Sequence, residues 1–272
     1  MSEMGIISVT MGYTLFNSES NVHKSMFRIL DEITACINSV LKELEKDRIS
    51  LNNIQMAIGG TSAGAHLSLL YGYFMKNPII PIKFIVNIAG PSSINPELYM
   101  DNIKYNDTLE NIEPITIKEA LKNGKLKQIN DTLINFVNLT YIMNNFIGYK
   151  YTVMEIKKII KGNEVDKNSS LYQELLYLAE LIGSPVNYIE KDSPATINYY
   201  GGNDDAVGLL HYSLLKNKYY EVGYGKDAMI YARYNNHSGS FDASTESGKI
   251  ALEEFTTMFK LYTKKYFDKI QK

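Results

Sequence analysis

A chain of 272 residues, 45% hydrophobic and 21% charged, has ample material for a buried core, in one α/β domain with an insertion or in two smaller ones. A net charge of −2 and a pI near 6.1 exclude the basic footprint of a nucleic-acid binder or a polybasic face for anionic lipid. The single cysteine, Cys36, excludes an internal disulfide framework and suits a reducing, cytoplasmic compartment, and no apolar run reaches the length of a membrane span.

In chain order, Ile6–Thr10 after Gly5 reads as a buried strand. With so few residues before it, the chain is expected to start halfway through a supersecondary unit. Val22, Met26, Ile29, Ile33, Ile37, Val40 and Leu44 recur at steps of three and four, which predicts an amphipathic helix from about Asn21 to Arg48. A strand "IQMAI", a tight turn and a helix "AHLSLLYGYFM" follow, and then a continuous apolar strand, "PIKFIVNIA". Strands alternating with helices in this way predict a mostly parallel sheet with crossover helices.

Between Gly90 and Pro194 the rhythm becomes helical, with no convincing strand. Three capping boxes punctuate it, Thr116 with Glu119, Thr152 with Glu155 and Ser170 with Gln173, and Gly124, Gly162 and Gly183 are candidate helix stops. Residues 91–193 are therefore expected to form a helical insertion, and residues 1–90 and 194–272 the α/β core. The alternation resumes with a strand "ATINYYGG", a helix from Val207 to about Val222, a strand "AMIYARY" and a terminal helix over residues 243–270.

Gly60-Thr61-Ser62-Ala63-Gly64 fits G-x-S-x-G. The pattern alone arises by chance in about one chain in ten of this length. Its setting is more specific: a strand before, a helix after, and small residues on both sides of the serine. So tight a turn strains the serine backbone, and flanking side chains larger than hydrogen or methyl would collide there. The strain presents Oγ outward at a helix N-terminus, which favours developing negative charge. The bland alternative is a glycine-rich turn whose serine caps the helix.

A serine hydroxyl needs a base to take its proton, and the chain has four histidines. His23 falls on the polar side of the first helix, His66 one turn after Ser62 in a packing position, and His211 within a helix. His237, in "RYNNHSGSFD", follows the last strand in a loop of small polar residues and is the candidate base. The acid is expected after the preceding strand, where "YYGGNDDAVG" offers two. The spacing Gly201, Asp204, Val207 selects Asp204; Asp205 is the runner-up, with capping of the next helix as its alternative role.

The serine bend, the segment "SPVNYIEKDSPATINYYGGNDDAV" and the late histidine together resemble the α/β-hydrolase superfamily, in particular its esterase and lipase-like branch of acetyl esterases, feruloyl-esterase-like and kynurenine-formamidase-like enzymes. The resemblance runs from about Gly5 to the C-terminus except for the insertion, which stands where that superfamily places a substrate-covering cap. It implies an α/β fold with helices on both faces of the sheet. It also implies cleavage of carboxylic esters of small molecules through an acyl-enzyme, with Ser62 as nucleophile, His237 as base, Asp204 as its orienting acid and the Ala63 backbone N–H as an oxyanion donor. No cofactor and no metal are expected, since the histidines are scattered and the cysteine has no ligand-spaced partner.

One family feature is missing from the sequence. The second oxyanion donor comes from a His-Gly-Gly-type loop on a strand upstream of the nucleophile strand, and no such loop is present. Either Ile6–Thr10 pairs directly beside Ile54–Ile58, or the nucleophile strand has an open flank. The resemblance thus leads to the expectation of an N-terminally truncated esterase, with a non-catalytic remnant or binding module of the same fold as the alternative. A patatin-like lipase is a weaker one: "GTSAGA" also suits that family, but the chain contains no Asp-Gly pair. Peptidases and amidases share the triad chemistry.

Overall fold

The computed structural model describes residues 6–14, 26–95, 158–161, 164–204, 206–207, 209–232, 237 and 244–267. Its centre is a four-stranded parallel sheet in the order β1 (Met56–Thr61), β2 (Ile82–Ile88), β5 (Ala195–Gly201), β6 (Asp227–Ala232). The helices among the described residues are α1 (Met26–Lys46), α2 (Ala63–Phe74), α3 (Ser170–Gly183), α4 (Leu209–Val222) and α5 (Glu246–Tyr266). A two-stranded antiparallel ladder, β3 (Ile160–Lys161) with β4 (Glu164–Val165), was not expected within the helical region. Each strand has two residues, too few to show a period.

Alternation along β5 sorts its side chains to two faces. Ala195, Ile197 and Tyr199 join Phe84, Val86, Ile230 and the apolar stripe of α5. Phe84 is the hub of that face, edge-on to Phe259, Tyr262 and Phe267 at 5.7, 6.0 and 5.5 Å. The opposite residues, Thr196, Asn198 and Tyr200, are buried and polar. Two of them meet α2 and α4 through hydrogen bonds, Thr196 Oγ1 with Tyr73 Oη (2.6 Å) and Asn198 Nδ2 to Tyr219 Oη (3.2 Å). Around this polar seam, apolar residues of α1, α2, α3 and α4 form the larger core cluster. The α/β class, the mostly parallel sheet and the helices on both faces match the expectation from the sequence.

Two local expectations are corrected. Ile6–Thr10 is not a strand: it belongs to no ladder, and Ile7 and Val9 are more than half exposed, at 58% and 52%. Strand propensity needs a neighbour to realise it, and β1 bonds only to β2 among the described residues. Neighbouring residues are held differently, Thr14 by two bonds to the Glu32 carboxylate at 2.8 and 2.6 Å, and Met11 and Tyr13 by packing on the main core. The second correction concerns α3, whose N-cap is Ser169 rather than Ser170. The Ser169 hydroxyl accepts from Tyr172 N–H at 3.1 Å, and Gln173 bonds outward to the Lys167 carbonyl.

Most of the expected cap, including Thr116, Glu119, Thr152 and Glu155, lies outside the described residues. The described end of that segment, α3 and the short turn Pro185–Tyr188, packs on the core: Tyr172, Leu175, Ala179 and Val186 share a cluster with α1 and α2.

Candidate active site

Every candidate residue leaves the carboxyl end of a parallel strand, where open α/β sheets gather their sites. Ser62 follows β1, Asp204 follows β5, and His237 follows β6. Ser62 has φ 53° and ψ −119°, a left-handed backbone that a non-glycine residue adopts only when its surroundings require it. The cause is the closeness of strand and helix. A Cβ on Gly60 would lie 2.5 Å from the Gly64 carbonyl carbon and 2.9 Å from Ala65 N, so position 60 accepts nothing larger than hydrogen. At position 64 a Cβ meets no atom within 4 Å, so that side of the serine has room for a methyl.

Ser62 is the N-cap residue of α2, yet its side chain makes no capping bond. Oγ instead lies 2.8 Å from His237 Nε2, and His237 Nδ1 lies 2.8 Å from Asp204 Oδ2. Residues 175 and 33 positions apart are thus joined in one line. A carboxylate oxygen only accepts, so Nδ1 carries the ring proton and Nε2 turns its lone pair toward the hydroxyl.

Asp204 is fixed on its other oxygen. Oδ1 accepts the backbone N–H groups of Ala206 (3.0 Å) and Val207 (2.7 Å), in the turn that leads into α4. Its carboxylate is fully buried, while the His237 ring is 23% exposed. Asp205 and His23 lie outside the described residues.

Ala63 opens α2, so its N–H is among those with no intrahelical acceptor. No strand flanks β1 on its second side among the described residues to bring another donor to the serine. No group of three or more metal-ligating side chains occurs among them either, and no described helix is long and apolar enough to cross a membrane.

The other two described histidines do other work. His66 is buried and its Nδ1–H donates to the Pro91 carbonyl at 2.7 Å; burial lowers its pKa from 6.5 to about 4. His211 accepts Ser92 N–H at Nδ1 (3.1 Å), and burial, with His66 nearby, lowers its pKa to about 3. Both rings stay neutral. Sequence reasoning did not single out Asn87 and Tyr200, which are buried beside them. The available signal was an asparagine inside each of two otherwise apolar strands, "FIVNIA" and "TINYY".

The sequence matches no protein-family model and no curated protein. Among solved structures, an acylaminoacyl peptidase from Pyrococcus horikoshii matches with a TM-score of 0.52 at 10% identity, over 92% of this chain and 29% of that one. An acylaminoacyl peptidase in complex with Z-Gly-Gly-Phe-chloromethyl ketone matches with a TM-score of 0.53, also at 10% identity, over 92% of this chain and 29% of that one. A truncated form of a carbohydrate esterase from gut microbiota has a TM-score of 0.46 at 18% identity, over 86% of this chain and 71% of that one. This chain therefore spans less than a third of either peptidase. At 10% identity the likeness is one of fold, an α/β core that this chain has in common with those two enzymes.

Proposed function

We propose that this chain is a serine hydrolase that cleaves carboxylic esters of small molecules through an acyl-enzyme. The observation that carries the reading is the unbroken line from Ser62 Oγ through the His237 ring to the buried Asp204 carboxylate, with 2.8 Å at each junction. Ser62 attacks the ester carbonyl while its proton passes to Nε2 of His237. Asp204 holds the ring in the required tautomer and stabilises its charge as it becomes imidazolium. The two backbone bonds on Oδ1 keep that carboxylate from rotating away. The negative charge developing on the carbonyl oxygen is met by the Ala63 N–H and the N-terminal end of α2. His237 then protonates the departing alcohol, and water repeats the sequence on the acyl-enzyme. Aromatic residues of the expected insertion, residues 91–193, would line the acyl or alcohol pocket.

The test is hydrolysis of short-chain nitrophenyl esters by residues 1–272 beside Ser62→Ala. Turnover that disappears in the variant supports the reading; turnover that survives in it refutes the assignment of the nucleophile.

That no strand flanks the second side of β1 among the described residues favours one other reading, a non-catalytic binding module of the same fold. Loss of one oxyanion donor costs about 100- to 1,000-fold in rate, so a working enzyme with Ala63 as its one donor would turn over slowly. A folded chain with no serine-dependent turnover and no acylation of Ser62 identifies the binding module. A serine–aspartate dyad of the patatin kind would be marked by activity retained in His237→Ala. The contact of His237 with both partners argues against it.

A further inference from the structure

The strained serine is gripped from behind by a second strained turn. Ser62 N–H donates to the Ile88 carbonyl at 2.9 Å, and the residue after Ile88, Ala89, is also left-handed, at φ 51°, and fully buried. The other left-handed non-glycine residues among those described, Arg48 and Asn53, are exposed. The turn Ala89–Ser92 presses on the first turn of α2: a Cβ on Gly90 would lie 2.7 Å from Ala65 Cβ and 2.9 Å from His66 N.

Buried side chains hold this turn at successive peptides. Asn87 Oδ1 accepts Gly90 N–H (3.0 Å), Tyr200 Oη donates to the Gly90 carbonyl (2.6 Å), and His66 Nδ1 donates to the Pro91 carbonyl (2.7 Å). Asn87 Nδ2 closes the set by donating to Tyr200 Oη at 3.0 Å. Buried polar groups cost stability that an apolar core would not, and here they converge on the peptide segment bonded to the nucleophile.

Resting on the serine-hydrolase reading, we infer that Tyr200, His66 and Asn87 are positioning residues for Ser62: they fix the Ile88–Ser92 segment, which holds the serine N–H and keeps Oγ aimed at His237. Without them the segment relaxes to an unstrained backbone, and the serine turn follows it.

The test is the second-order rate of labelling by a fluorophosphonate, read by intact mass, with Ser62→Ala as blank. In that reaction Oγ bonds to phosphorus, fluoride leaves and the serine proton passes to His237. Tyr200→Phe and His66→Leu should label about tenfold more slowly or worse, at temperatures well below their melting points. Nitrophenyl-ester kcat should fall in parallel with KM little changed. His66→Asn, whose amide N–H replaces Nδ1–H, should recover to within about threefold of the unaltered chain. Tyr200→Phe labelling within about twofold of the unaltered chain overturns the inference. So does equal slowing in His66→Asn and His66→Leu, and the Tyr200→Phe arm stands if His66→Leu does not fold. An unaltered chain that does not label at Ser62 overturns the hydrolase reading itself; labelling of Ser62 with indifferent variants leaves that reading and removes the positioning role.

Discussion

Ser62 combines two facts that a capping serine would not show together, a left-handed backbone and a side chain turned away from its own helix. The conformation depends on position 60, where backbone atoms of Gly64 and Ala65 leave no room for a Cβ. Gly60→Ala is therefore expected to abolish esterase turnover and lower the melting temperature, whereas Gly64→Ala, with open space at its Cβ, should leave the melting temperature within a few degrees. Thermal melts of the two variants side by side check this. Asp204 carries a double load, three hydrogen bonds on two oxygens. Asp204→Asn should lower kcat by about 10⁴-fold through the wrong imidazole tautomer, measured on a nitrophenyl ester. Retention of a tenth or more of the rate would remove Asp204 from the mechanism.

Among the elements, β2 and β5 are the keel. Both lie in the middle of the sheet, and each feeds one face to α5 and the other to α2 and α4. Phe84 touches three aromatic rings around the end of α5. Phe84→Ala should cost about 3–5 kcal/mol, the range for a buried ring that leaves a cavity; urea denaturation monitored by tyrosine fluorescence measures it. By contrast, β1 has one bonded neighbour among the described residues, and its residues are half-buried or exposed where β5 is buried throughout. Gly59 keeps β1 close to β2, since a Cβ there would lie 2.7 Å from Val86 Cβ and 2.9 Å from the Val86 carbonyl oxygen. Gly59→Val should push β1 away from β2, detectable as faster hydrogen exchange at the β1 amides.

At the scale of the whole molecule, the buried imidazoles tie stability to pH. His66 and His211 have pKa values lowered from 6.5 to about 4 and about 3, first of all by burial. Below pH 6.5 the unfolded chain takes up these protons and the folded chain does not, so stability present above that pH is lost as pH falls toward 4 and 3. The slope approaches about 1.4 kcal/mol per pH unit for each ring. Urea midpoints should drop between pH 7 and 5, and His66→Asn should flatten part of the drop. Equal midpoints across that range would show that these rings are not buried neutral.

Much of this was legible in the sequence because it depends on short-range regularities. The continuous apolar run of "PIKFIVNIA" and the three-and-four period along α1 are set by which faces are buried, and those patterns are visible without knowing the partner. Glycine spacing around Ser62 signals a tight turn for the same local reason. The order serine, acid, histidine could be read because each residue follows a recognisable strand. Tertiary structure alone decided the rest. Ile6–Thr10 has the composition of a strand but no neighbour to bond with among the described residues, and pairing is a property of two segments. That Asn87, Tyr200 and His66 converge on one turn depends on side chains brought together in part from positions more than a hundred residues apart. Local pattern specifies what each segment can become; packing between distant segments decides which polar atoms end up within 3 Å of one another, and the chemistry depends on those distances.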